Sequence, residues 1–217
     1  MRLKSPTANK YHMVYKHRST TPDWLYHEPS LNPELLPAIQ KELLKLFVQT
    51  KKDTLVPYTS TAVEIAYKEL MRDTCTTLMQ EFQRLGIYDN FWVITFISVD
   101  SSREFPPHVD AGVDIALNIP LINCEDTYTV WYDGKIKDQS LPDYAIGSSI
   151  VEIARVVDPR TAVEIGRCDS NIPHWINVNI LHRPETHHTQ LRVAASIRFK
   201  PQPIDEKGEL WPHLIKS

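Results

Sequence analysis

Cysteine is scarce in this 217-residue chain: three thiols, Cys75, Cys124 and Cys168, lie far apart. An odd count without CxxC spacing excludes a zinc ribbon, a dithiol redox motif and a disulfide framework, and fits reduced thiols in a cytoplasmic protein. Charge of one sign is lacking too. A net charge of −3 carries neither the basic excess of a general nucleic-acid binder nor the acidic tail of a disordered activator. No run approaches the roughly 20 apolar residues of a membrane span, and the polar start Met1-Arg2-Leu3-Lys4 has no apolar signal core. Internal repeats and low-complexity tracts are absent as well.

What is present suits one domain with a sizeable core. Residues 1–31 are weakly periodic, with Trp24, Leu25 and Tyr26 as anchors of an irregular arm. Asn32-Pro33-Glu34 resembles a helix start, and Ile39, Leu43 and Phe47 recur at fourfold spacing, which predicts a helix to about Thr50. Thr61-Ala62-Val63-Glu64 reads as a capping box opening a second helix that stops at Gly86. Beyond Gly86 the texture becomes aromatic and β-branched. Strands are expected at 91–99, 113–122, 127–133, 150–157, 161–166, 174–181 and 190–199, with a surface loop over 134–149. Many short strands at this spacing indicate a sandwich or barrel, so the fold class is mainly β with N-terminal helices, α+β. The single domain, 1–217, divides into a helical region 1–88, a β core 89–200 and a C-terminal tail 201–217.

The chemistry-bearing residues begin with His108-Val109-Asp110. Residues i and i+2 of an extended chain point the same way, so this imidazole and carboxylate can converge on one point. His174, in Pro173-His174-Trp175 at the head of an apolar strand, is the preferred third ligand. His182 in Leu181-His182-Arg183-Pro184 competes for that place from an expected hairpin. Two histidines and one carboxylate leave coordination positions open, as in non-haem Fe(II) oxygenases. On 190–199, Arg192, Ala194, Ser196 and Arg198 share one face and Val193, Ala195, Ile197 and Phe199 the other. Arg192 can therefore enter the barrel and pair bidentately with the distal carboxylate of 2-oxoglutarate, and Arg198 is the alternative clamp. His187 and His188 read as an exposed hairpin tip, Tyr128, Trp131 and Tyr132 as strand aromatics that can line a pocket, and Asn118 and Asn123 as residues satisfying backbone groups.

The order of HxD, a Pro-His before an apolar strand, and Arg192 followed by Ser196-Ile197-Arg198-Phe199 resembles the 2-oxoglutarate/Fe(II) dioxygenase superfamily over about residues 91–199. The block from His108 to Cys124 with Tyr128-Thr129-Val130-Trp131-Tyr132 is most similar to small aspartyl/asparaginyl- and prolyl-hydroxylase-like proteins. The resemblance implies a double-stranded β-helix, a cupin-like jelly roll. It also implies Fe(II) on His108, Asp110 and His174, 2-oxoglutarate on Arg192, and O2 as co-reactant. Ala194 stands where that family often has a cosubstrate-binding serine or threonine, which turns attention to Ser196. The expected activity is hydroxylation of a small molecule or a peptide side chain. The Arg192-x5-Arg198 spacing also resembles AlkB-type nucleic-acid dealkylases, so nucleic acid stays open as a partner. A cupin-like ligand-binding module without catalysis, and another metal-dependent cupin activity, are the further alternatives.

Overall fold

The computed structural model describes residues 24–53, 61–67, 71, 73–99, 107–110, 113–134, 136–137, 153–157, 161–187 and 190–217. In chain order these form β1 (Tyr26–His27), α1 (Leu36–Asp53), β2 (Thr61–Tyr67), α2 (Thr76–Arg84), β3 (Phe91–Val99), β4 (His108–Asp110) and β5 (Ile115–Ile122). There follow β6 (Thr127–Asp133), β7 (Ile136–Lys137), β8 (Ile153–Val157), β9 (Val163–Asp169), β10 (His174–Asn177), β11 (His182–Thr186) and β12 (Arg192–Phe199).

Two six-stranded sheets face one another, in the orders β1-β10-β5-β12-β3-β2 and β7-β8-β4-β11-β6-β9. Their antiparallel pairs are nested along the chain: β3 with β12, β4 with β11, β5 with β10, and β6 with β9. The connections β3–β4, β4–β5 and β5–β6 each cross between the sheets, as do β9–β10, β10–β11 and β11–β12 on the return. A long hairpin wound in this way is the double-stranded β-helix, or jelly roll.

The helices cover the outer face of the first sheet. Asn32 accepts the Glu34 backbone N–H on its side chain (3.0 Å) ahead of α1. Ile39, Leu43 and Phe82 then pack with Phe96, Ile197 and Phe199 in the principal core. Cys75 offers α2 no side-chain cap. Glu42 of α1 replaces it, its carboxylate accepting the backbone N–H of Thr77 (2.9 Å) and of Leu78 (3.2 Å). Gly86, at φ +68°, lets the chain leave the helix.

The structure differs from the sequence reading in two elements. Residues 61–86 do not form one helix: Thr61–Tyr67 is a strand paired along β3, and the helix occupies only Thr76–Arg84. Thr61, Val63, Ile65 and Tyr67 alternate as β-branched and aromatic residues, and the open edge of β3 rewards that alternation over the capping-box pattern. The segment after Leu181 is not a protruding hairpin, because His182–Thr186 is an inner strand of the second sheet. Within the C-terminal tail, Leu210 and Leu214 are buried in the principal core, and Trp175 donates its indole N–H to the Leu214 carbonyl (3.1 Å). Trp24 packs against that same core. Of the loop expected over 134–149, Ile136–Lys137 forms β7 and 138–149 lie outside the described residues, as do 1–23 and His188.

Candidate metal centre

β12 supplies the first constraint. Val193, Ala195, Ile197 and Phe199 join the core under the helices. Arg192, Ala194, Ser196 and Arg198 therefore face between the sheets, as period-two alternation requires. Opposite them, on the second sheet, β4 and β11 bring His108 and His182 directly across from one another in register.

His108, Asp110 and His182 are buried, and each offers a ligand atom within 4.8 Å of the others. His108 Nε2 lies 3.5 Å and His182 Nε2 4.0 Å from Asp110 Oδ1. The His182 Nδ1 is 2.9 Å from the Ile180 carbonyl oxygen. A carbonyl only accepts, so Nδ1 carries the proton and Nε2 presents its lone pair to the cluster. Burial, reinforced by the neighbouring His108, lowers the His182 pKa to about 4. Burial by itself would raise the Asp110 carboxyl, but the Arg198 guanidinium, with His182 and His108, outweighs it and holds the group below the usual carboxylate range. Arg198 Nη1 pairs with Asp110 Oδ2, the oxygen not facing the imidazoles. The backbone adds to the placement, the Asp110 N–H donating to the Val178 carbonyl (3.0 Å).

His174 does not join this cluster. It lies on β10 in the first sheet, where its Nδ1 donates to the Ile172 carbonyl (2.8 Å) and its Nε2 lies 3.4 Å from Thr129 Oγ1. Thr129 in turn lies 3.3 Å from Ser170 Oγ. His174 is thus a satisfied interior histidine, with burial lowering its pKa to about 4. The reason is topological: β11 lies beside β4 in the second sheet, whereas β10 lies in the first, so the imidazole that meets His108 and Asp110 is the one on β11. Pro184 and the polar Glu185-Thr186 disguise that strand. Beyond His182 no register pair joins β11 to β4 among the described residues, and a proline is tolerated along such an unpaired side.

Arg192 is 2% exposed, and its Nε has no hydrogen-bond partner. Burial lowers its pKa, opposed by the Cys124 thiol, which hydrogen-bonds the guanidinium, and by the Cys168 thiol. No carboxylate pairs with it among the described residues. A buried guanidinium without an acid is costly, so this side chain fits an anionic ligand. Ser196 Oγ, on the same face, is also buried and unpartnered. Of the expected pocket aromatics, Trp131 is core and donates to the Asn177 carbonyl (2.9 Å), while Tyr132 pairs with Glu185. Asn123 supports the backbone as expected, donating to the Leu191 carbonyl (2.9 Å).

No family model matches the sequence, and no curated protein matches it. Among solved structures, the chain is similar to the epimerase SnoN in complex with Fe3+, alpha ketoglutarate and nogalamycin RO. The two are 13% identical with a TM-score of 0.42, covering 80% of this chain and 77% of that one. It is also similar to the non-heme alpha ketoglutarate dependent carbocyclase SnoK from nogalamycin biosynthesis (10%, 0.43, covering 80% and 78%). A prolyl hydroxylase from Trichoplax adhaerens in complex with a hypoxia inducible factor peptide is similar at 11% identity and TM-score 0.43, covering 80% and 81%.

Proposed function

We propose that the chain is an Fe(II)- and 2-oxoglutarate-dependent dioxygenase that oxidises an unactivated C–H bond. One observation carries this reading. Two imidazoles and a carboxylate converge in a jelly-roll interior whose opposite wall holds a buried arginine without an acidic partner among the described residues. Two neutral nitrogen donors and one carboxylate suit Fe(II) and leave positions open for ligands. In this reading His108, Asp110 and His182 hold the metal, and Arg192 holds the distal carboxylate of 2-oxoglutarate.

Bound there, Fe(II) and 2-oxoglutarate would supply O2 activation, with oxidative decarboxylation of the cosubstrate to succinate and CO2 balancing hydroxylation of the substrate. The chain's own part is placement. Ile180 fixes the His182 tautomer, Arg198 fixes which Asp110 oxygen is presented, and Arg192 sets the cosubstrate's direction. Acid–base catalysis is not asked of these side chains.

Small molecules and peptide side chains are the substrate classes this reading favours. Succinate formation from 2-oxoglutarate, with O2 uptake, tests it. Turnover should require Fe(II) and disappear in Asp110→Ala and Arg192→Ala. A cupin-like binding module would instead take up no iron, and another metal-dependent cupin activity would turn over without 2-oxoglutarate.

A further inference from the structure

One band of the barrel interior is left unexplained by the metal ligands and Arg192. Thr95 on β3 pairs with Ser196 on β12, Ser196 with Asn118 on β5, and Asn118 with His174 on β10. This transverse row of four polar side chains is buried throughout. The next row toward Arg192, formed by Ile97, Ala194 and Pro120, is apolar. His174 is accounted for by Ile172 and Thr129. Asn118 and Ser196 are not: among the described residues Asn118 Oδ1 and Ser196 Oγ have no hydrogen-bond partner, although the two are only 6% and 1% exposed. Burying unpaired polar groups is unfavourable, and two side by side in register form one patch that a ligand can satisfy.

We propose that Asn118 and Ser196 form a hydrogen-bonding clip for the keto-acid end of 2-oxoglutarate, with Asn118 the residue that distinguishes a 2-oxo acid from a plain dicarboxylate. The inference rests on the cosubstrate reading above and assigns Asn118 a role beyond it. Position along β12 sets the direction. Ser196 is two residues from Arg198, whose guanidinium reaches Asp110, and four residues, about 13 Å of strand, from Arg192. The clip therefore lies toward the metal ligands and the clamp toward the far end. On this face only the methyl of Ala194 separates them. An amide turns to present either its NH2 or its carbonyl, and a hydroxyl donates or accepts, so both can serve acceptor oxygens without adding charge.

Calorimetric binding of 2-oxoglutarate to the full chain loaded with redox-inert Mn(II) tests the clip. Wild type, Asn118→Ala, Asn118→Asp and Ser196→Ala are compared, with Mn(II) affinity and thermal melting measured alongside. Asn118→Ala should weaken 2-oxoglutarate binding about tenfold or more at unchanged Mn(II) affinity. Asn118→Asp should weaken it further through like charge, and glutarate, which lacks the keto oxygen, should lose less in both. Unchanged 2-oxoglutarate affinity in both Asn118 variants overturns the clip while leaving the cosubstrate reading intact. A wild-type Mn(II) protein that binds no 2-oxoglutarate overturns both. If the alanine variant fails to fold, Asn118→Asp, which keeps the side chain's shape, carries the test.

Discussion

Asp110 has two kinds of neighbour: one carboxylate oxygen faces the neutral imidazoles that would hold a metal with it, and the other meets the Arg198 guanidinium. Without metal, Arg198→Leu leaves a buried carboxylate without its strongest partner, which should cost about 3–5 kcal/mol in chemical denaturation. Mn(II) supplies positive charge at the same group, so it should raise the melting temperature more in this variant than in wild type. His174 makes a different prediction. Its folded pKa, about 4, lies below the ordinary 6.5, so between those values the unfolded chain binds the extra proton. Stability therefore falls as pH drops from 6.5 toward 4, by roughly 3 kcal/mol from this residue if the shift is fully expressed. Denaturation curves across that range should be flatter for His174→Gln. At this scale the sequence made His108 and Asp110 legible, since their convergence needs only an extended backbone. The third imidazole was not legible, because choosing between His174 and His182 requires knowing which strand lies beside β4.

Elements were legible where one period dominates. The fourfold spacing of Ile39, Leu43 and Phe47 locates α1, and the β-branched run at 91–99 locates β3. Thr61–Tyr67 fits two patterns, and only the open edge of β3 decides between them. β11 was obscured by Pro184 and by its polar composition, both compatible with the partial pairing it makes on the β4 side. The start of α2 was equally hidden, because its capping group comes from Glu42, 35 residues earlier than Thr77. Glu42→Ala should therefore destabilise the protein by about 1–2 kcal/mol in thermal or chemical denaturation, with metal affinity unchanged. An equal loss of metal binding would show that α2 and the metal centre are coupled more tightly than their placement on opposite faces of the first sheet implies.

The molecule as a whole divides its labour between the two faces of one sheet. The outer face, with α1, α2 and the C-terminal segment, holds the principal core. The inner face carries the buried Arg192, Ser196 and Arg198, and the second sheet faces them with His108, Asp110 and His182. Leu214, buried in that outer core, ties the tail to the scaffold. Leu214→Ala should cost about 2–5 kcal/mol without changing metal stoichiometry, as equilibrium unfolding and metal analysis on one preparation would show. No described helix is long and apolar enough to cross a membrane.

Closure of His108, Asp110 and His182 on one Fe(II) that also receives a 2-oxo acid is what the proposed function requires. Its most direct test is the visible absorption of the anaerobic protein with Fe(II) and 2-oxoglutarate. Wild type and His174→Gln should show a charge-transfer band, and His182→Ala none with its fold intact by circular dichroism. A band that survives in His182→Ala and vanishes in His174→Gln would contradict it.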